Sequence, residues 1–253
     1  MTSPHATAVD TNMVAAFVAL SDHTGSGTSR SFGDLTAVAT DVPVAFFNPV
    51  FVFEPPTRDD LSRAVAWLTD QGVPLRVVVA DSALGATEPV ASDLGLERAD
   101  SPQPGMVLPS LDDVPRPGSA LDIEVVTDTG GIDGFVTVTA AAFGMPVDVA
   151  RQVAPASMLS DEQVQLLLGR LDGEPVACGL LVRSDDVAGV YNVGVTEPYR
   201  RRGFGEAMTR AVLRAGREDG AEVGVLQASE MGYPVYEAMG FETVVEYHQF
   251  HPA

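Results

Sequence analysis

The segment Val193–Glu206 (VGVTEPYRRRGFGE) constrains the fold more than any other part of the chain. An apolar strand ends at Val195, a short turn follows, and Arg200-Arg201-Arg202-Gly203-Phe204-Gly205 leads into an amphipathic helix predicted over 203–218. A strand–loop–helix of this kind belongs to an alternating α/β architecture. The first amides of a helix have no intrahelical partner, and the helix dipole is positive at that end. Gly203 and Gly205 lack a Cβ, so an anion can approach the main chain, and the arginines add charge. Several donors along a curved loop suit a diphosphate better than a single phosphate. The competing reading is a solvated arginine run beside glycines that merely start a helix. A Walker loop is excluded because the chain has no Lys. A dinucleotide fingerprint fits poorly, because Met208 stands where its third glycine would be and Glu222 precedes the next strand instead of ending it.

Charge sharpens the contrast around this loop. The 253 residues include 35 acidic and 15 basic side chains, all of the latter Arg, for a formal net charge of −20. Six arginines lie between Arg200 and Arg217, so positive charge is concentrated on an acidic chain. That balance disfavours nucleic acid as a partner and is compatible with cationic small molecules. Cys178 is the single cysteine, which excludes an intramolecular disulfide and a Cys-based zinc site. The four histidines sit near the two ends without metal-ligand spacing, so no metal is expected. No apolar run approaches the length of a membrane span and no basic leader is seen, so the expectation is a cytoplasmic protein with no membrane partner.

Along the chain, residues 1–12 read as poorly ordered and Met13–Leu20 as a short helix. Residues 24–33 read as loop, and Val42–Phe53 as strands broken at Asn48-Pro49. Thr57 caps a helix whose first turn carries Asp59 and Asp60, with Leu61, Ala64, Val65 and Leu68 on one face. Pro74–Ala80 reads as a buried strand and Gly105–Leu108 as another. Residues 112–118 (DDVPRPG) form the best linker and split the chain into 1–118 and 121–253. The second part reads β-α-α-β-β-β-α-β-α-β, with a hairpin turning at Asp172-Gly173. The predicted class is α/β (α+β), a mixed and mostly antiparallel sheet flanked by helices.

Two motifs in this second part carry a resemblance. Arg200-x-x-Gly203-x-Gly205 resembles the (Gln/Arg)-x-x-Gly-x-(Gly/Ala) motif of the GNAT superfamily of acyl-CoA-dependent N-acetyltransferases. Tyr236-Glu237-Ala238-Met239-Gly240-Phe241 resembles the family's Tyr-Glu-x-x-Gly-Phe segment, with one helix and one strand between the two, as in the family. The resemblance covers about 121–250 and implies acetyl-CoA as co-substrate, with no metal. It implies that the loop Arg200, Arg201, Arg202, Gly203, Phe204, Gly205 and Glu206 holds the pyrophosphate. Val193 and Val195 would offer backbone groups to the pantetheine arm and thioester. Tyr236 would protonate the leaving thiolate; an ordinary Tyr, with a pKa near ~10, holds a proton to donate. Its competing reading is a core aromatic.

The sequence departs from the family at two places. Ser229 stands where the family often has Asn, which leaves a weaker contact to the cofactor arm. Asn192 stands where some members carry a Glu base, and an amide is no base. Glu230 and His248 are the nearest titratable alternatives, and neither is assigned. Residues 1–118 resemble a degenerate half-copy of the same fold, giving two GNAT-like halves in tandem, the first without a cofactor site. The implied function is acetyl transfer to a primary amine of a small molecule in a ternary complex. The alternatives are a non-catalytic acyl-CoA sensor and a protein or peptide N-acetyltransferase. A homodimer is compatible with the sequence.

Overall fold

The computed structural model describes residues 3–253. The chain divides into two compact units. The first holds the residues up to Met106 together with Ala228–Glu230 and Thr243–Ala253; the second holds Val107–Gln227 and Met231–Glu242. The division therefore does not follow the expected cut near residue 119. The Pro-rich stretch 112–118 lies inside the second unit, and the final strand returns to the first. A linker signal marks flexible composition, whereas strand pairing decides which unit a segment joins.

The first unit begins with α1 (Pro4–His23), capped by Ser3, whose hydroxyl accepts from the Ala6 amide. This helix is far longer than the sequence suggests. Val9, Met13, Phe17 and Leu20 fall on one buried stripe, so tertiary burial outweighs the weak Ser/Thr/Ala propensity of the first turns. β1 (Thr28–Phe32) lies inside the expected loop and forms a hairpin with β2 (Leu35–Ala39) just beyond it, turning at Gly33 with φ +59°. β3 (Pro49–Val52) follows a short 3-10 turn at Ala45–Phe47. α2 (Arg58–Asp70) carries the predicted Thr57 cap. β4 (Arg76–Ala80) is wholly buried. α3 (Asp81–Asp93) escapes a pattern reading because Pro89 lies inside it and its apolar face is narrow. β5 (Leu96–Arg98) and β6 (Gln103–Leu108) close the continuous part.

The second unit contains β7 (Asp122–Val125), α4 (Thr129–Phe143), α5 (Val147–Val153), β8 (Val164–Leu171), β9 (Glu174–Ser184), β10 (Val187–Val195), α6 (Phe204–Glu218), β11 (Val223–Gln227) and α7 (Tyr233–Ala238). β12 (Glu242–Pro252) then enters the first unit, where it pairs antiparallel with β4. Strands of the first unit run β1-β2-β3-β4-β12-β6, with β5 paired to β12; those of the second run β11-β10-β9-β8-β7. Each unit thus has an antiparallel meander ending in a parallel pair, β3–β4 in the first and β10–β11 in the second. This is the mixed, helix-flanked α/β sheet predicted. No single helix is long and apolar enough to cross a membrane.

Within the first unit Asn48 is buried and fully engaged. Its side chain accepts from the Thr40 amide at 2.8 Å and donates to Val42 O and Pro74 O, both at 2.9 Å, tying the 3-10 turn to β4. Phe51 is core, whereas Phe46 is exposed and packs on the buried Arg76 guanidinium.

Asp10 on α1 is also buried and accepts a 2.6 Å hydrogen bond from the Tyr247 hydroxyl. Burial pushes its pKa up to about 6; the Tyr247 bond pulls the other way, and Glu54 and Asp81 add to the rise. A folded-state pKa above the unfolded one means that Asp10's own contribution to stability is most favourable below pH ~4 and declines as pH rises through about 6. Asp10→Asn keeps an acceptor for Tyr247 without the charge. It is expected to raise stability at pH 7.5 by on the order of 2 kcal/mol and hardly at all at pH 4, read from thermal melts at both pH values. An equal gain at both pH values contradicts this assignment.

Candidate functional site

The second unit assembles the loop, the strand before it and Tyr236. β10 pairs with β11 only at Val187–Val223, Ala188–Gly224 and Gly189–Val225. Beyond Gly189 the two strands pair no further, leaving one edge of β10 without a ladder partner. On its other edge β10 follows β9, with a register shift between Tyr191 and Gly194. Asn192 sits at this bulge with φ +48°, a conformation Asn tolerates better than most residues. Its Nδ2 donates to Thr139 Oγ1 of α4 at 2.9 Å, and its carbonyl accepts from Cys178 Sγ at 3.3 Å. Asn192 therefore holds the bulge against α4. The Cys178 thiol is fully buried and its pKa is pushed up to about 12 by that burial, so it is no nucleophile.

After Val195 the chain turns through Glu197–Tyr199 into the arginine–glycine loop. Arg201 has φ +58° and Gly203 φ +78°, so the loop curls through two left-handed positions before α6. No side chain caps the α6 N-terminus. At Gly203 the positive φ itself calls for glycine. At Gly205 the backbone makes no such demand, and a Cβ there would meet nothing within 4 Å. The protein's own packing thus gives no reason for that glycine, and the space in front of the amide stays open. Arg202 lies over the rings of Phe204 (4.9 Å) and Tyr199 (5.6 Å), and neither Arg201 nor Arg202 makes an ion pair among the described residues. Uncapped amides, a missing Cβ and two uncommitted guanidiniums fit the pyrophosphate of a CoA thioester.

The loop residues divide by role. The Arg200 side chain is not part of the anion cradle, because its Nε donates to Val195 O at 3.0 Å and its Nη2 to Ala142 O at 2.8 Å. It braces the end of β10 against the last turn of α4. Phe204 buries its ring in the core and presents only main chain. Glu206 pairs with Arg210 at 2.8 Å.

Tyr236 stands on α7 with its ring 5.9 Å from Phe241 in an edge-on arrangement. Its hydroxyl hydrogen-bonds Thr209 of α6, whose own hydroxyl donates to Gly205 O at 3.0 Å. Burial raises its pKa above the usual phenol value, so the proton is held more firmly. Ser229 and Glu230 fall in the segment that clusters with the first unit, as does His248. Sequence reasoning missed Thr139, Thr209 and the bracing role of Arg200, because none of them belongs to a contiguous motif.

The first unit has no counterpart of this loop. After β3 the chain reads Phe53-Glu54-Pro55-Pro56-Thr57: two residues without an N–H, a carboxylate, and a helix start already capped by Thr57 Oγ1, which accepts from the Asp60 amide at 3.1 Å. Asp59 and Asp60 fill its first turn. Such a helix start repels phosphate.

Residues 140–241 match the acetyltransferase (GNAT) family model. Structural similarity extends over both halves. A GCN5-related N-acetyltransferase from Kribbella flavida superposes with a TM-score of 0.74 at 18% identity, covering 100% of this chain and 96% of that one. A GCN5-related N-acetyltransferase from Sphaerobacter thermophilus gives 0.56 at 18% identity over 85% and 79%. A tandem GNAT protein from the clavulanic acid biosynthesis pathway gives 0.57 at 14% identity over 88% and 78%. At these identities the likeness shows the fold alone, and it extends over the N-terminal half as well. No curated relative matches the sequence at a significant level.

Proposed function

We propose, from the match of residues 140–241 to the GNAT acetyltransferase family model, that the protein transfers an acetyl group from acetyl-CoA to a primary amine of a small molecule in a ternary complex. The observation that carries this reading is the uncapped α6 N-terminus behind Gly203 and Gly205, flanked by Arg201 and Arg202. The amides of the loop from Arg201 to Glu206 hold the pyrophosphate. The unpaired edge of β10, Val193 and Val195 included, runs beside the pantetheine arm. The Val195 carbonyl is already engaged by Arg200, so the strand's other polar groups serve that arm. The neutral amine attacks the thioester carbonyl, a strand amide meets the charge developing on oxygen, and the Tyr236 phenol gives its proton to the departing sulfur. Most of the acceleration comes from holding two substrates in line. The acidic surface of the chain favours a cationic acceptor on approach.

Asn192 makes the amide a support for the bulge and leaves no carboxylate at the position where some relatives carry a base. The acceptor then loses its proton to water before attack. On this account kcat/KM rises with pH at a slope of one, and its midpoint follows the pKa of whichever amine is used. The raised Tyr236 phenol adds no descending limb below pH ~10. Rate profiles for two amines of different basicity check this. A midpoint fixed near pH 6–7 for both reveals a base on the protein instead.

The missing carboxylate also gives weight to a second reading, a non-catalytic acyl-CoA sensor. Free-thiol release from acetyl-CoA across a panel of amines separates the two. Turnover on any amine supports the enzyme, and binding without turnover supports the sensor. Inclusion of peptides in the panel tests the protein-modifying alternative.

A further inference from the structure

Arg76 opens β4 in the first unit and is only 2% exposed. β3 and β4 run parallel, so Arg76 lies at the end of the sheet remote from the Thr57 helix start. Its Nη1 donates to Gln249 Oε1 at 2.9 Å, and Gln249 Nε2 donates in turn to Gln103 Oε1 at 3.3 Å, which fixes the guanidinium. Nε is buried and donates to nothing among the described residues. No carboxylate offsets the charge, and burial pulls the pKa of the group down to about 9. His251 adds no second charge, because burial and the Arg76 charge hold its imidazole below the ordinary range. A buried cation with neither an anion nor an acceptor for Nε has lost its hydration and gained no partner, which native proteins seldom tolerate.

We propose that Arg76 is the anion-binding group of a second site, within the first unit, that takes a small monocarboxylate with an apolar or aromatic body. The proposal stands independently of the acetyl-CoA reading. Gln249 occupies Nη1 only, which leaves the Nε–Nη2 edge of the fork, the edge that grips a carboxylate with two parallel hydrogen bonds. One fixed charge matches one carboxylate. A phosphate dianion would bring a second charge into an apolar setting with no cation to meet it. The surroundings are aromatic: the rings of Phe46 and Phe17 lie 3.9 and 5.7 Å from the guanidinium carbon and offer faces to an apolar body. Phe46 is 44% exposed and stands on the Ala45–Phe47 turn, none of whose residues is buried. Asn48 pins the end of that turn to Val42 O and Pro74 O. Rotation of the one ring about its Cα–Cβ bond therefore uncovers the guanidinium while the backbone stays in place, a motion that exposed side chains make within nanoseconds.

The test titrates the full chain, 15N-labelled, with benzoate, with its neutral analogue benzamide and with inorganic phosphate, and follows the Arg76 Nε–Hε resonance. Benzoate is expected to move Hε downfield to a plateau and to bind about tenfold more tightly than benzamide or phosphate. At twenty times its dissociation constant it raises the melting temperature by about 3–6 °C. Arg76→Met keeps the length of the side chain and removes the charge, and its melting temperature does not respond to benzoate. The wild-type Hε resonance decides the matter should that variant fold poorly. Phe46→Ala, at an exposed position, weakens benzoate about fivefold through the lost ring contact. An Hε resonance that stays in place with benzoate up to about 50 mM overturns the site. A response to phosphate equal to that with benzoate overturns the choice of a carboxylate, and an equal response to benzamide overturns the role of charge.

Discussion

Arg202→Glu is expected to weaken acetyl-CoA binding about 100-fold at low salt. The guanidinium is exposed, rests over the Phe204 and Tyr199 rings and has no carboxylate partner among the described residues, so its charge is directed to whatever occupies the loop. Reversing it changes the local charge by two units beside a diphosphate. At partly exposed separations of 4–5 Å that amounts to roughly 2–3 kcal/mol, which corresponds to the stated factor. The loss shrinks at 0.5 M salt, where screening is strong. The melting temperature stays close to that of the wild type, because an exposed side chain without an ion pair contributes little to folding. Calorimetric dissociation constants at two salt concentrations check this. A constant within twofold of wild type at low salt contradicts the phosphate reading.

Tyr236→Phe acts on the other end of the cofactor. The phenol is held by Thr209 on the same helix that starts at the loop, and burial keeps it protonated. Removing one oxygen deletes the acid while the ring keeps its contact with Phe241. The expected result is a fall in kcat of about 10²–10³ with the acetyl-CoA dissociation constant within twofold of wild type. Pre-steady-state release of thiol measures the chemical step apart from product departure. Unchanged turnover removes Tyr236 from the mechanism. Equal losses in affinity and turnover reassign it as a core aromatic.

What the sequence made legible was local and contiguous. Thr57 and its two aspartates announced α2, Asp172-Gly173 announced the β8–β9 hairpin, and the arginine–glycine loop announced the start of α6, each through a short-range physical cause. α1 and α3 stayed hidden. The former is stabilised by a stripe of four side chains burying against the sheet, and the latter carries a proline in its interior. The placement of β12 was equally illegible, because pairing to β4 across more than 160 residues leaves no local trace. The same distinction holds at the site. The anion loop and Tyr236 lie in motifs, whereas the Asn192–Thr139 tie and the Arg200 brace join residues from separate elements. Composition indicated the acidic field but not that three adjacent arginines would split into one brace and two uncommitted cations.

Amide NMR on the deuterated, 15N-labelled chain tests the grip on the cofactor most directly. Titration with acetyl-CoA should move the Gly203, Gly205 and Glu206 amide protons strongly downfield, as hydrogen bonds to phosphate oxygens form, while the Thr57–Asp60 amides of the first unit stay in place. Unmoved resonances at the three loop positions in the presence of saturating cofactor contradict the account.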